Sequence, residues 1–211
     1  MANPRMYSWH MSPFAGKARI ALRIKGVDVD LIEIDPANRP PELRRLNPSN
    51  RVPVLLVGDT AIRESTAIAE WAEETGDGPS LWGTDPAERA VARGMLRWVD
   101  DELLTNFFLS YRKQFFGLDE GDPENIVQVL RDRLVKRWKP LEALLGRTDG
   151  TWLLGGDEPG FADLAALPLA VRMTEWQSGL EPDPDAYPRT TAWFAAMKER
   201  PEVEEVDRKG T

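Results

Sequence analysis

Ser12 stands directly ahead of Pro13 and of an apolar helical pattern, in the segment M-S-P-F-A-G-K-A-R-I-A-L from Met11 to Leu22. A serine there satisfies an otherwise unpaired amide at a helix N-terminus, and proline fits the first turn because its missing N–H needs no partner. The same hydroxyl does chemistry only if that helix end faces a ligand. Histidine chemistry is narrowly limited: His10 is the only histidine among 211 residues, so a Ser-His-Asp arrangement has no other base, and no carboxylate stands beside it in the chain. Its plain alternative is a place in the loop or pocket rim between a strand and a helix. The chain has no cysteine, which removes disulfides, thiolate metal sites and a cysteine nucleophile together. No metal is expected, and a cytoplasmic setting fits that composition.

The formal net charge of −8 argues against general nucleic-acid binding and against adhesion to anionic membranes. The charge is unevenly spread. Through Glu74, ten Lys/Arg offset ten Asp/Glu, whereas 17 Lys/Arg face 25 Asp/Glu in the remainder. A neutral front part receives an anionic ligand more readily than an acidic back part does. The apolar fraction of 42% is ordinary for a folded chain, and the eight tryptophans suggest large packed layers or pockets. The first ten residues, M-A-N-P-R-M-Y-S-W-H, lack the apolar core of a signal peptide, and no later segment is long enough to span a bilayer.

The elements that must position Ser12 can be read from periodicity. A strand at Arg5–Trp9, a helix from Pro13 to about Lys25 ending at Gly26, and a strand at Asp28–Ile34 make a βαβ unit with a parallel pair. A looser stretch rich in Pro and Asn, with the short run P-E-L-R-R-L, leads to V-P-V-L-L-V and T-A-I-R, joined across Gly58-Asp59 as a hairpin. Glu64-Ser65 then open a third helix that ends near Gly76. Beyond the Gly-rich stretch 77–84 the pattern is all helical. Asp85-Pro86-Ala87-Glu88 starts a helix running toward Tyr111 and Phe115, and Asp122-Pro123-Glu124 starts another through Trp138. Further helices fit Phe161–Thr174 and Pro188–Arg200. The expected fold class is α/β plus all-α: residues 1–76 as one domain, 77–84 as linker and 85–211 as a helical bundle.

These residues together resemble the glutathione transferase family, whose pattern is a thioredoxin-like βαβ–ββα domain followed by an all-helical one. Four stretches carry the resemblance: S-P-F-A-G-K-A-R-I-A-L; N-P-S-N-R-V-P-V-L, with Val52-Pro53 where the family has a cis-proline; I-R-E-S-T-A-I, with Glu64-Ser65 at the turn into the third helix; and P-G-F-A-D-L-A-A-L around Asp163. One departure is plain. The family's buried capping motif has Ser or Thr three residues before its aspartate, whereas this chain has Gly160, which can occupy an N-cap but supplies no side-chain bond.

The resemblance implies glutathione as substrate or cofactor and a small apolar electrophile as its reaction partner. A free thiol of pKa about 8.5 is only roughly 3% ionised at pH 7, and lowering it by two units takes about 2.7 kcal/mol of selective anion stabilisation. A helix N-terminus contributes about 0.3–2 kcal/mol. A hydrogen bond to a charged group contributes about 1.5–3 kcal/mol. A serine hydroxyl at a helix start therefore suffices in magnitude. In serine-using members that hydroxyl activates the thiol, which makes Ser12 the expected catalytic residue; tyrosine-using members make Tyr7 the second choice.

Val52-Pro53 would present the Val52 backbone to the extended peptide, Glu64 would pair with its ammonium, and Ser65 would receive its γ-glutamyl carboxylate. Arg39 and Arg51 are candidates for the glycyl carboxylate, with a solvated basic loop as the alternative. Phe14 either packs the base of the first helix or lines the thiol site through its backbone. Phe107, Phe108, Tyr111, Phe115 and Trp176 form the expected electrophile wall, although aromatic residues at helical spacing are commonly core. The expected activity is a glutathione S-transferase, with an isomerase, ether-cleaving enzyme or dehalogenase of the same fold as alternatives. A non-catalytic, protein-binding member is the alternative of another class. The resemblance also implies a homodimer.

Overall fold

Four short strands and three helices form the first half of the computed structural model, which describes residues 3–116 and 123–210, with only the backbone described at 114–116. Strand β1 (Arg5–Ser8) leads into helix α1 (Pro13–Ile24), then β2 (Asp30–Glu33), α2 (Pro41–Leu46), β3 (Val54–Val57), β4 (Thr60–Arg63) and α3 (Ser65–Thr75). The sheet order is β2-β1-β3-β4, with β1 and β2 parallel and the other pairs antiparallel. This is the βαβ–ββα arrangement read from the sequence. Gly26, at φ +65°, ends α1 in a backbone region that costs glycine little. Gly58, at φ +58°, is the first central residue of the β3–β4 hairpin, the position where a type II′ turn requires a positive φ.

One face of the sheet is covered by α1 and α3. Met6, Leu31 and Leu55 from three strands pack with Ala18 and Leu22 of α1 and Ile68 and Ala72 of α3. Each such large apolar side chain stabilises the fold by about 1.5–3 kcal/mol when fully buried. The C-terminal end of α1 is fastened by Lys25, whose ammonium meets Glu73 of α3 at 3.3 Å and the Gly78 and Pro79 carbonyls at 2.5 and 3.1 Å.

The chain divides into two compact units, residues 1–81 with 204–211, and residues 82–203. The helical part expected to span 85–211 therefore stops short of the chain's end. Residues 204–211 return to the first unit because Arg19 of α1 holds the Glu205 and Val206 carbonyls at 2.7 and 3.0 Å.

The second unit is built from α4 (Pro86–Trp98), α5 (Thr105–Phe116), α6 (Ile126–Val135), α7 (Trp138–Leu145), α8 (Phe161–Ala165), α9 (Leu167–Glu175) and α10 (Pro188–Lys198). Asp85 accepts from the Ala87 and Glu88 amides, and Glu88 accepts from the Asp85 amide, so the expected capping box forms at α4.

Three expected long helices are interrupted. A π-helical turn, Val99–Leu104, separates α4 from α5; there Thr105 Oγ1 donates to the Asp100 carbonyl and Asn106 Nδ2 to the Asp101 and Glu102 carbonyls. These polar side chains take over backbone acceptors that a regular ladder would use. The helix expected through Trp138 breaks at Lys136–Arg137, where Lys136 stands four residues ahead of Pro140, and the helix expected over Phe161–Thr174 breaks at Ala166 ahead of Pro168. A proline lacks the N–H of the ladder and clashes with the carbonyl one turn back. Helix α6 begins at Ile126; Asp122, at the start expected for it, lies outside the described residues.

Candidate functional site

The register of the first unit's sheet gathers the candidate residues at one edge. Tyr7 of β1 lies opposite Val54 of β3, and Val54 lies opposite Arg63 of β4. Adjacent strands are about 4.8 Å apart, so this row spans roughly 10 Å. The chain leaves the row at β1 toward Ser12, reaches it at β3 from Val52-Pro53, and leaves it at β4 into Glu64-Ser65. Three segments far apart in sequence thus meet at the end of the sheet where α1 and α3 begin.

Ser12 caps α1. Its Oγ accepts from the Ala15 amide at 3.3 Å, and its backbone closes the turn through Ser12 N–H donating to the Trp9 carbonyl at 2.9 Å. The side chain is buried, and among the described residues its hydroxyl proton has no acceptor. A hydroxyl carries one donor besides its lone pairs, so capping and donation to an anion are compatible. Beside it, Lys17 is fully buried and donates to Thr66 Oγ1 at 3.0 Å, tying α1 to the first turn of α3. Lys17 also lies 5.9 Å from the ring centroid of the half-buried Phe14. A lysine in the middle of a helix is usually read as solvated, so its part here was not legible.

The Val52–Pro53 peptide is cis, and among the described residues the Val52 N–H and C=O have no partner. An extended peptide can pair with that backbone as a short added strand. Asn47 supports the approach to this turn by donating to the Arg51 carbonyl at 2.9 Å and accepting from the Ser49 amide at 3.1 Å. Arg39 donates to the Pro36 carbonyl at 3.1 Å and to the Asn50 carbonyl, which gives it a role in shaping the loop. Arg51 is exposed. Asn50 was missed in the sequence: it sits at φ +51° and its buried Oδ1 has no hydrogen-bond partner among the described residues.

Glu64 is the N-cap of α3 at φ +70°, an uncommon region for a residue with a Cβ, and it makes no side-chain capping bond. Its carboxylate is exposed, while Ser65 beside it is buried. Strained backbone of this kind costs about 1–3 kcal/mol and tends to persist where a ligand is clamped.

Tyr7 is turned to another task. Its hydroxyl donates to Glu42 of α2 at 2.6 Å. Burial, then the hydrogen bond and charge of Glu42, push the phenol above its ordinary pKa, partly opposed by Arg5. His10 has an orienting carboxylate after all: Glu33, at the end of β2, accepts from the His10 amide at 2.9 Å and meets its Nδ1 at 2.6 Å. Parallel pairing of β1 with β2, with Ser8 opposite Glu33, brings the two together.

Residues 6–80 match the family model of the glutathione S-transferase N-terminal domain, and residues 124–196 match that of the C-terminal domain. Glutathione S-transferase U1 of Arabidopsis thaliana is 30% identical over 92% of this chain and 84% of its own length. The chain belongs to the glutathione S-transferase family. Another relative, maleylacetoacetate isomerase of Mus musculus, is 30% identical over 86% of this chain and 83% of its own. The crystal structure of poplar glutathione transferase F1 superposes with a TM-score of 0.81 over 98% of this chain and 97% of that one, at 22% identity, and so shares the fold.

In the helical unit of this glutathione S-transferase family member, three of the five candidate wall residues come together. The ring centroid of Phe107 lies 4.7 Å from that of Tyr111 and 5.7 Å from that of Trp176, and Tyr111 and Trp176 are 4.7 Å apart. Phe107 and Tyr111 are buried, whereas Trp176 and Phe108 are partly exposed. Arg172 lies over the Trp176 ring at 5.6 Å and pairs with Glu175 at 2.5 Å. The side chain of Phe115 lies outside the described residues.

The capping motif works despite its glycine. Asp163 Oδ2 accepts from the Gly160 amide at 3.0 Å, and Oδ1 accepts from the Leu153 amide at 2.9 Å and the Trp193 indole at 2.7 Å. Burial raises the Asp163 pKa, against the pull of those three donors. Among the described residues, no helix is long and apolar enough to cross a membrane, and no cluster of three or more His, Asp or Glu could hold a metal ion.

Proposed function

We propose that the chain is a working glutathione S-transferase in which Ser12 activates the thiol of glutathione for attack on an apolar electrophile. The observation that carries this reading is the Ser12 hydroxyl itself: buried at the start of α1, it accepts one amide and keeps its proton for an anion. The thiolate sulfur lies in line with that proton and with the N-terminal amides of α1. The cysteinyl backbone of glutathione pairs with the Val52 N–H and C=O, while Glu64 takes the γ-glutamyl ammonium and Ser65 with the first amides of α3 takes its carboxylate. Arg51 is the better of the two cations for the glycyl carboxylate, because Arg39 is already engaged with the loop carbonyls. Phe14 lines the thiol site through its backbone.

Attack by the thiolate forms a carbon–sulfur bond and expels a leaving group, or adds to an activated double bond with a proton taken from water. The aromatic rings of Phe107, Tyr111 and Trp176, the first and last stacked and Tyr111 tilted against both, with Phe108 and Phe115 on the same helix as the first two, suit a flat apolar electrophile. Tyr7 is the weaker candidate for activation because its proton is committed to Glu42. The reading includes a cytoplasmic homodimer that serves in detoxification.

The similarity to an isomerase favours a second reading, in which glutathione adds and leaves again and only the isomer is product. Calorimetry with glutathione, followed by incubation with an activated aryl halide and, separately, a conjugated cis-alkene diacid, tests both. Conjugation of the halide supports the first reading, and turnover of the alkene without loss of glutathione supports the second. Failure to bind glutathione at millimolar concentration sinks both and favours the non-catalytic, protein-binding alternative.

A further inference from the structure

The β1–α1 turn that carries Ser12 is held from two sides by the last residues of the chain. Arg19, 2% exposed, donates through Nε to the Glu205 carbonyl at 2.7 Å and through Nη2 to the Val206 carbonyl at 3.0 Å. The same guanidinium donates to the His10 carbonyl at 3.2 Å and to Ser8 Oγ at 2.6 Å, so a single buried cation joins the chain's end to the turn. On the other side, Glu33 accepts from the His10 amide and contacts its imidazole with one oxygen, while its second oxygen accepts from the Gly210 amide at 3.4 Å. Gly210 lies so close to β2 that a Cβ there would stand 2.5 Å from the Leu31 carbonyl oxygen and 2.6 Å from the Glu33 nitrogen. Between these anchors, the buried Glu205 carboxylate pairs with Arg23 at 3.4 Å and Arg208 at 3.2 Å.

We infer that residues 204–210 are a strap that sets the conformation of the β1–α1 turn and thereby aims the Ser12 hydroxyl; Arg19 and Glu33 are positioning residues. His10, the centre of the turn, is gripped at its carbonyl by Arg19 and at its amide and ring by Glu33, two residues before Ser12. The strap is held by these polar anchors and by the buried Val206, and an open pocket of about 140 Å³ lies against it, lined by Arg19, Leu22, Val27, Leu31, Glu205 and Arg208. A guanidinium is suited to this role because its planar fork reaches several acceptors at once, whereas an ammonium is a single point. The consequence for the thiol rests on the proposed role of Ser12; the effect on the turn does not.

Two variants of the full chain test the inference. Arg19→Gln removes the central anchor. Gly210→Val keeps the anchoring side chains of Arg19 and Glu33 and acts by forcing the strap's end off β2, which also releases its amide from Glu33. Amide hydrogen exchange is followed for residues 9–15, with β3 as internal reference, together with the pH profile of kcat/KM. The expected result is exchange about tenfold faster in 9–15 for Arg19→Gln and severalfold faster for Gly210→Val, with β3 unchanged. The alkaline shift of the pH profile should reach about one unit, roughly a threefold loss of rate at pH 7 that approaches tenfold below the wild-type thiol pKa, with KM for glutathione changed by less than about twofold.

Should Arg19→Gln fail to fold, Gly210→Val decides alone. Unchanged exchange in 9–15 for Gly210→Val overturns the strap, even if Arg19→Gln loosens the turn, because Arg19 then holds the turn without it. Ser12→Ala separates the two readings: it should shift the pH profile with exchange in 9–12 near the wild-type rate, the Ala15 amide alone losing its cap partner. If Ser12→Ala leaves the profile in place, the role of Ser12 fails, and the exchange data still decide whether the strap sets the turn.

Discussion

Helix starts in the two units are treated differently. At α4 and α8 carboxylates close the helix start: Asp85 and Glu88 cap each other's backbone, and Asp163 takes the Gly160 cap amide together with the Leu153 amide and the Trp193 indole. At α1 a serine takes a single amide over 3.3 Å and keeps a donor, and at α3 the cap residue makes no side-chain bond while holding a positive φ. An anion fits the second pair and not the first, since a carboxylate at the cap already supplies the charge that the helix end attracts. An uncapped start alone marks nothing, since α2, α6, α7 and α9 also lack a side-chain cap; what sets α1 and α3 apart is the donor that Ser12 keeps and the positive φ of Glu64. That contrast, and not the mere presence of a serine before a proline, is what argues for Ser12 as a working group.

The contrast can be broken most forcefully at Asp163. Asp163→Ala leaves three buried donors unpaired and should cost about 3–5 kcal/mol of stability, read by urea denaturation. Ser12→Ala should do the reverse. It costs only about 1 kcal/mol as a lost cap, yet lowers kcat/KM about 10- to 100-fold at neutral pH, with rates converging on the wild type above the free thiol pKa. At the second open helix start, Glu64→Gly relieves the positive φ and should raise stability by about 1 kcal/mol while weakening glutathione binding, a division that calorimetry and thermal melting read separately.

Sealed carboxylates also predict pH behaviour. At Glu73 burial acts upward but is outweighed by the Leu81 amide, the Ser80 hydroxyl and Lys25, so its pKa lies below the ordinary value. The unfolded chain then binds the proton first, so the stability Glu73 supplies is complete above the ordinary Glu range and is lost as pH falls through the folded pKa. Glu142, opposed by burial but held down by the Thr190 and Arg189 amides, the Thr190 hydroxyl and the Arg189 charge, behaves alike. Asp163, raised by burial, contributes in the opposite sense, its share growing as pH falls through its folded pKa. Denaturation between pH 7 and 4 should show net loss toward acid, and Glu73→Gln should flatten that slope. The smallest effect is expected at Tyr7→Phe, which removes the bond to Glu42 for about 1 kcal/mol and leaves the thiol titration unmoved.

The alternating strands and helices of the first unit were legible because each strand is bounded by Gly, Pro or Asn and each helix by a cap or a glycine. The turn-bearing residues Ser12, Val52-Pro53 and Glu64-Ser65 were legible for the same reason, as punctuation. What escaped was non-local. The Glu33 partner of His10 depends on the parallel register of β1 and β2, and the fully buried Lys17 and Arg19 fall in a helix where charge ordinarily signals solvent. The return of residues 204–210 to the first unit follows the bonds that Arg19 donates to the Glu205 and Val206 carbonyls, which no pattern near the chain's end reveals. Breaks ahead of Pro140 and Pro168 were readable from the proline rule, whereas the π-helical turn depends on Thr105 and Asn106 competing for carbonyls that a helical period cannot register.

Central to the account is a thiol whose proton is released by a hydroxyl at the start of α1. Ultraviolet titration of glutathione bound to the wild-type protein and to Ser12→Ala measures it directly. The wild-type complex should titrate about two units below the free value of roughly 8.5, and the variant should move back toward that value with glutathione still bound. A bound thiol that titrates at its free value in the wild type, or that is equally acidic without the Ser12 hydroxyl, contradicts the account.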